Sequence, residues 1–198
     1  MIETVEQLEA LYGKPKAPSL VKVSDHLTDE YSAYINSAPF VALSTVGPEG
    51  LDCSPRGDNG QVVFIDDDKT LLLPDWRGND RIDSMRNIVR DGRVSLMFLV
   101  SGSSTIIRVN GRGQISVSPD LLERFEKSGK KPRTVLIINI NEIYFQCARA
   151  IIRAGLWDNK PAPELPSPGA ILASMTDGEV GGAQYDKSWP ERAKKTLW

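Results

Sequence analysis

Arginine side chains gather in one short stretch of the sequence, PDWRGNDRIDSMRN, which spans residues 74–87. The stretch follows the run KTLLL, which is typical of a strand, and leads into a segment with helical periodicity. The backbone N–H groups of a helix N-terminus attract phosphate, and guanidinium groups bind it through paired hydrogen bonds. Arg77 and Arg81 are therefore candidate phosphate ligands. The alternative is a solvated turn, in which these arginines pair with Asp75, Asp80 and Asp83.

A helix is predicted directly after this cluster of arginines. Asn79 or Asp80 can cap its start, because short polar side chains accept hydrogen bonds from the first free N–H groups. Ile82, Met85 and Val89 follow the i, i+3, i+7 spacing of one helical face. We expect these three residues to form the buried side of the helix.

Two further polar groups lie on predicted strands. In CSPRGD (53–58), Pro55 removes a backbone donor, so the segment belongs at a sheet edge or a bulge. There Arg56 either faces a ligand or pairs with Asp58. In TIIRVNGRG, Arg108 and Asn110 share one face of a strand, because side chains alternate. That face either contacts a ligand or is an ordinary polar surface.

The segment CARAIIRAGLWD (147–158) carries the fourth candidate group. Arg149, Arg153 and Trp157 are spaced by four, so they share one face if the segment is helical. An indole beside a guanidinium suits a planar aromatic ligand, and it equally suits a simple cation–π pair.

Composition argues against several classes of protein. The net charge of −2 leaves no basic surplus for nucleic acid, and the apolar runs are too short to span a bilayer. The only histidine, His26, excludes a metal site with several histidines and disfavours a Ser-His-Asp triad. Neither GxGxxG nor a P-loop occurs. The acidic N-terminus does not resemble a signal peptide, and the isolated Cys53 and Cys147 favour a cytoplasmic protein with free thiols.

The scaffold that positions these residues is predicted to consist mainly of short strands. Strands are expected at 40–47, 51–57, 61–66, 70–75, 93–100 and 104–116, followed by TVLIINI and EIYFQCA. Helices are expected at 3–12, 28–37, 118–129, 169–177 and 185–196. About eight strands without a parallel βαβ repeat favour a mainly β (α+β) fold, an antiparallel barrel with a few peripheral helices. Two glycines in 104–116 predict a bend or bulge.

Three regions follow from this pattern. Residues 1–24 form an N-terminal helix and a connector, and residues 25–158 form the barrel domain. Residues 159–198 begin with a Pro-rich segment and form a tail of the same domain. The few apolar residues of this tail need another surface to cover them, such as that of a second subunit.

The order of the motifs resembles the pyridoxamine 5′-phosphate oxidase-like superfamily of FMN-binding split barrels. It is most similar to a bacterial flavin-nucleotide-binding branch of unassigned substrate. The motifs that carry the resemblance are SPRGD, LPDWRGNDRIDSMRNI, RVSLMFLV, IIRVNGRGQI and ARAIIRAGLW, within residues 25–158. The resemblance implies a split barrel that forms a homodimer and binds FMN between its subunits.

The resemblance also implies a role for eleven residues in binding FMN. Arg77, Asn79, Arg81 and Ser84 would bind the phosphate, Arg56 the phosphate or ribityl chain, and Pro74 and Asp75 the ribityl and isoalloxazine edge. Arg108, Asn110, Arg153 and Trp157 would come largely from the partner subunit.

The implied activity is that of a flavin-dependent oxidoreductase. Hydride would pass between a nicotinamide or small organic donor and an acceptor through flavin N5, without a protein nucleophile or a metal. The alternatives are a non-catalytic flavin-binding or redox-sensing module, and a split barrel that binds F420 or heme. The absence of histidine after His26 argues against oxidation of pyridoxamine phosphate, since the family's Arg-x-His element is missing. Asp80 stands where the family often has a second basic residue.

Overall fold

Seven antiparallel strands form the centre of the fold in the computed structural model, which describes residues 1–196. The strands are β1 (Phe40–Gly47), β2 (Gly50–Gly57), β3 (Phe64–Asp67), β4 (Thr70–Asp75), β5 (Arg93–Leu99), β6 (Ile106–Ser116) and β7 (Thr134–Gln146). The helices are α1 (Val5–Tyr12), α2 (Ala17–Val21), α3 (Asp29–Asn36), α4 (Asp83–Arg90), α5 (Pro119–Arg124), α6 (Arg149–Ala154), α7 (Pro168–Met175) and α8 (Gly182–Thr196).

The strands make one sheet in the order β2-β1-β5-β6-β7-β4-β3, and the sheet curls around the main hydrophobic core. Val41, Leu73, Phe98, Val109 and Leu136 come from five different strands, yet all are at most 1% exposed and belong to one cluster. Each such side chain contributes about 1.5–3 kcal/mol by leaving water. The predicted mainly β, antiparallel architecture is therefore confirmed, and its curvature is that of an open barrel.

Both predicted hairpins are present. In the first, Phe40 pairs with Gly57 and Gly47 with Gly50. In the second, β3 begins at Phe64 instead of residue 61. The reason is that Val62 N–H donates to Ala38 O at the end of α3, so this backbone is not available for the sheet ladder.

The last strands differ from the prediction in number. TVLIINI and EIYFQCA form one continuous strand, β7, so the sheet has seven strands and not eight. The predicted irregularity in 104–116 is confirmed, because the β6–β7 register shifts between Asn110 and Gly111. A Cβ atom at Gly111 would lie 2.1 Å from the backbone oxygen of Asn139. Only glycine fits at this position of the bulge.

Helix α4 begins later than predicted. Asp80 (φ 61°) and Ile82 (φ 52°) both have left-handed backbone conformations, so the helix starts at Asp83. Neither Asn79 nor Asp80 caps it, and its N-terminus has no side-chain cap from any described residue. Its first N–H groups therefore keep their capacity for another acceptor.

The expected apolar face of α4 is also wrong in part. Ile82 and Val89 are 50% and 76% exposed, whereas Ser84, Asn87 and Ile88 are buried. The cause is a polar patch inside this end of the barrel. Ser84 Oγ donates to an Asp52 carboxylate oxygen on β2 at 2.5 Å, and Asn87 Nδ2 donates to Thr45 Oγ1 on β1 at 3.2 Å.

The helices outside the barrel follow the prediction more loosely. Thr28 caps α3 as expected, since its hydroxyl accepts from Tyr31 N. The predicted connector contains a short helix, α2, and α5 ends five residues early, at Arg124. In the tail, α7 packs against α8, and Asp186 accepts hydrogen bonds from Ser167 Oγ and Gly169 N. None of the described helices is long and apolar enough to cross a membrane.

Candidate functional site

The mouth of the barrel lies where two strands that are not neighbours approach each other. Arg56 on β2 donates from Nη1 to Asp75 Oδ1 at the end of β4. Both side chains are largely buried, at 22% and 16% exposed. Arg56 Nε is buried and has no hydrogen-bond partner among the described residues.

A cavity of about 270 Å³ opens at this mouth, between the loop after β4, helix α4 and the first residues of β7. Its lining includes Arg56, Asp75, Asn79, Arg133 and Thr134. Thr134 Oγ1 is buried and, like Arg56 Nε, has no partner within the described part of the chain. A buried polar group without a partner costs about 1–3 kcal/mol, and such groups mark places that a ligand or water completes.

A second cavity, of about 220 Å³, lies on the other side of Arg56 and Trp76. Arg77 and Pro74 line it together with Asp58, whose carboxylate is 4% exposed and accepts from Lys127 Nζ at 2.5 Å. The Lys127 ammonium also lies 5.5 Å from the centre of the Trp76 ring. Trp76 thus lines both cavities, and the pattern-based pairing of Arg56 with Asp58 is wrong, since each has another partner.

The loop between β4 and α4 holds its arginines in two different ways. Arg81 Nε donates to Asp83 at 2.7 Å, and this hydrogen bond raises the pKa of the Arg81 side chain. Asn79 Oδ1 accepts from Arg81 N at 3.2 Å. Arg77, by contrast, makes no ion pair with any residue of the described range. The solvated-turn interpretation therefore applies to Arg81 and not to Arg77.

Two of the predicted phosphate ligands belong to a neighbouring concavity. Arg81 lines a space of about 260 Å³ between the β1–β2 turn and the start of α4, together with Asp52 and Arg86. Ser84 lies beside it, with its hydroxyl bound to Asp52. The structure thus brings Arg56, Pro74, Asp75, Arg77 and Asn79 together around Trp76. Arg81, just before α4, and Ser84, in its first turn, lie at the neighbouring concavity.

The remaining predicted residues do not line the barrel mouth. Arg108 and Asn110 share the outer face of β6, opposite the buried Ile107 and Val109, as the alternation predicted. The Arg108 guanidinium lies 5.2 Å from the centre of the Tyr144 ring. Asn110 Nδ2 donates to Glu142 Oε1 at 2.6 Å.

The group Arg149, Arg153 and Trp157 does not form one helical face. Helix α6 ends at Gly155, whose φ of 56° is left-handed, so Trp157 lies beyond the helix. Its indole Nε1 donates to Ser103 O at 2.6 Å, in the turn before β6. Arg153 remains on the helix and is exposed.

Sequence reasoning missed Arg133, Thr134 and Lys127. They lie in KSGKKPRT, a polar stretch that joins the end of the predicted helix 118–129 to the start of the predicted strand TVLIINI and matches no binding motif. Only the register of β7 against β4, which places Thr134 opposite Asp75, brings the first two to the barrel mouth.

Comparison with known proteins places this arrangement in context. A family model described as "Pyridoxamine 5'-phosphate oxidase" matches residues 27–147, which contain all seven strands and α4. No curated protein matches the chain.

Several solved structures are similar to this chain. A provisionally named pyridoxamine 5′-phosphate oxidase from Lactobacillus delbrueckii is 22% identical, with a TM-score of 0.50 over 61% of this chain and 95% of that chain. HupZ from Group A Streptococcus is 23% identical, with a TM-score of 0.49 over 60% and 93%. An FMN-binding protein from Syntrophomonas wolfei is 16% identical, with a TM-score of 0.48 over 72% and 97%. At 22% identity, the likeness to the Lactobacillus structure concerns the fold alone.

Proposed function

Because this chain belongs to the pyridoxamine 5′-phosphate oxidase family, we propose that it binds FMN at the barrel mouth and acts as an oxidoreductase. The observation that carries the proposal is Arg56. Its guanidinium is fixed by Asp75 and the residue lines both cavities, yet its buried Nε has no hydrogen-bond partner among the described residues. A buried cationic donor held in this way suits an anionic or carbonyl oxygen of a ligand.

The residues around the mouth fit the chemistry of FMN. The ligand combines a phosphate with a hydroxylated chain and a planar ring. Arg77 has no ion pair among the described residues and lines the cavity beside Arg56. Helix α4 offers an N-terminus without a side-chain cap. Unpaired guanidinium groups and free helix N–H groups are the donors that phosphate requires.

The proposal assigns a part of FMN to each group of residues. Arg77, Asn79, Arg81 and Ser84 would hold the phosphate near the start of α4, with Arg56 at the phosphate or ribityl chain. Pro74 and Asp75 would lie along the ribityl and isoalloxazine edge. The Ser84 hydroxyl donates its single proton to Asp52, so it would hold the phosphate only by turning that proton from Asp52 to a phosphate oxygen.

A second subunit would supply the four remaining residues to the FMN site: Arg108, Asn110, Arg153 and Trp157. In one chain they lie on the outer face of β6 and near the turn before it, apart from Arg56. A homodimer that places one subunit's outer face over the other's barrel mouth would bring them to the same FMN. Sedimentation velocity of the purified protein tests this, and a monomer at all concentrations contradicts it.

When bound, FMN would supply hydride transfer through N5 between a nicotinamide or small organic donor and an acceptor. The chain itself would bind and orient the cofactor and exclude water from it. Oxidation of pyridoxamine phosphate is not part of the proposal. The single histidine, His26, is half exposed, pairs with Asp25 at 2.8 Å and lines neither cavity.

The decisive experiment is the absorbance spectrum of the purified full chain, followed by mass spectrometry of any released chromophore. We expect a flavin spectrum, release of FMN, and bleaching by NADH or NADPH without oxygen. A protein that retains FMN but is reduced by neither nicotinamide contradicts the oxidoreductase and favours the non-catalytic module. A colourless protein without affinity for added FMN contradicts flavin binding, and F420 and heme then become the ligands to titrate.

A further inference from the structure

The first residue of β7 faces the cavity at the barrel mouth. Thr134 lies opposite Asp75 in the antiparallel register of β4 and β7, and it lines the same cavity as Arg56. Its buried hydroxyl has no partner among residues 1–196, and neither has Arg56 Nε. Two lining residues of this cavity thus carry a buried polar atom without a partner: a guanidinium N–H, which only donates, and a hydroxyl, which donates or accepts.

Arg133 is fixed next to Thr134 by two contacts. Its backbone N–H donates to Asp75 O at 2.9 Å, which ties it to the end of β4. Its guanidinium Nη1 donates to Asp80 Oδ1 at 2.6 Å. Asp80 belongs to the loop after β4 and has a left-handed φ of 61°. Both residues line the cavity, so an acid in the loop after β4 holds the cation that directly precedes β7 at the rim of the cavity.

We propose that Thr134 and Arg133 are ligand-binding residues of this cavity and that Asp80 positions Arg133 toward a phosphate group. This inference rests on the proposed binding of FMN and adds the source of its selectivity. Thr134 hydrogen-bonds to an oxygen of the ribityl phosphate chain, and Arg133 favours the phosphorylated flavin. A guanidinium has five N–H donors, so the contact with Asp80 leaves donors for phosphate.

The first test is Thr134→Val in the full chain, with Thr105→Val as the control. Thr105 lines a separate groove with Tyr31 and Phe145. We expect the Kd of flavin-free protein for FMN to rise about tenfold, which corresponds to the loss of one hydrogen bond. The melting temperature of the flavin-free protein should stay or rise, because valine removes an unsatisfied hydroxyl. A lower melting temperature with unchanged FMN affinity would mean that Thr134 is only structural.

The second test compares FMN with riboflavin in Arg133→Ala and Asp80→Asn, with Arg124→Ala as the control. Arg124 pairs with Asp66 at 2.5 Å and lines neither cavity. We expect Arg133→Ala to weaken FMN binding about tenfold and to leave riboflavin binding unchanged, since riboflavin has no phosphate. Asp80→Asn should act in the same direction with a smaller effect. Equal losses for both flavins, or tighter FMN binding by Asp80→Asn, would overturn the inference.

The outcomes distinguish a failure of this inference from a failure of the proposed function on which it rests. If the unmodified protein binds neither flavin, the proposed function fails. If the unmodified protein binds FMN and the variants Thr134→Val and Arg133→Ala bind FMN equally well, only the proposed roles of Thr134 and Arg133 are wrong.

Discussion

Arg56 and Asp75 form an ion pair between two strands that are not neighbours in the sheet. Arg56 lies on β2, which is one edge of the sheet, and Asp75 ends β4, the second strand from the other edge. The pair therefore brings the two ends of the curled sheet together at the barrel mouth. Arg56 also lines both cavities at this mouth, so the proposed function gives one side chain two roles, closure of the barrel and binding of FMN.

Arg56→Lys separates these two roles. Lysine keeps the charge, but it is a point donor that cannot contact Asp75 and also present a second N–H in the Nε direction. We expect the Kd for FMN to rise at least about tenfold, equivalent to about 1.4 kcal/mol. Flavin fluorescence titration measures the Kd, and urea unfolding should show a loss of about 1 kcal/mol.

The control for this change is Arg124→Lys, which alters a comparable guanidinium–carboxylate pair on the surface. It should leave both FMN affinity and unfolding unchanged. Unaltered FMN binding by Arg56→Lys would show that Arg56 serves closure alone.

Arg81→Ala tests the phosphate assignment at the start of α4, and the chain offers a close control. Arg81 and Arg93 each donate from Nε to an aspartate two residues away, at 2.7 and 2.6 Å, and both side chains are mostly exposed. Arg81 lies beside the uncapped end of α4, whereas Arg93 opens β5.

We expect Arg81→Ala to weaken FMN binding about ten- to a hundredfold, since a charge-assisted hydrogen bond contributes about 1.5–3 kcal/mol. Arg93→Ala should leave it unchanged. Both variants should unfold within about 0.5 kcal/mol of the unmodified protein, because both residues are on the surface. Equal FMN affinity in the two variants would refute the assignment of Arg81.

Gly111→Ala is expected to destabilise the barrel strongly. The new methyl group would meet the backbone oxygen of Asn139 at 2.1 Å, and a backbone atom within the sheet cannot move aside as a side chain can. The expected loss is about 3 kcal/mol, measured by urea unfolding. Gly57→Ala is the matched strand control, since its nearest neighbour would be Pro39 O at 3.5 Å. Similar stability of the two variants would contradict the tight approach of β6 and β7.

Cys147 is expected to react faster with iodoacetamide than Cys53 at neutral pH. Both thiols are exposed, but a hydrogen bond from the backbone N–H of Arg149 lowers the pKa of Cys147. A lower pKa means a larger fraction of thiolate, which is the reactive form. Mass spectrometry of peptides at short reaction times measures the two rates. The difference should vanish in denaturing urea, and its persistence there would exclude the folded backbone as the cause.

The positions of the strands could be predicted from sequence because hydrophobic alternation and turn residues mark them locally. Both hairpins and the irregularity near Gly111 follow directly from such signals. The family resemblance could be recognised for the same reason, since its motifs coincide with strand ends and the start of α4.

The orientation of α4 could not be predicted, because the spacing of its apolar residues indicates a different buried face from the one that the structure has. Ile82 and Val89 fit one face, but the interior beneath the helix offers Asp52 and Thr45, which need polar partners. Ser84 and Asn87 are these polar partners, and the helix is oriented so that both side chains reach the strands. Such a choice depends on which strands meet under the helix, and no local pattern carries that information.

The candidate binding residues also differ in whether a local sequence pattern reveals them. Arg56, Arg77 and Asn79 stand out because they interrupt strand or loop patterns, and the structure brings them to one place. Arg133 and Thr134 stand in an unremarkable polar stretch, and only long-range pairing of β7 with β4 places them at the mouth.

The continuity of β7 has a consequence for how this chain can change in evolution. The strand carries Thr134 at its first position and pairs with β4 and β6 along its length. Inserting or deleting one residue inside it would turn every following side chain to the other face of the sheet. Lineages of this protein should therefore keep the length of 134–146 constant, and differences in length should accumulate in the Pro-rich segment 159–167, which lies outside the sheet.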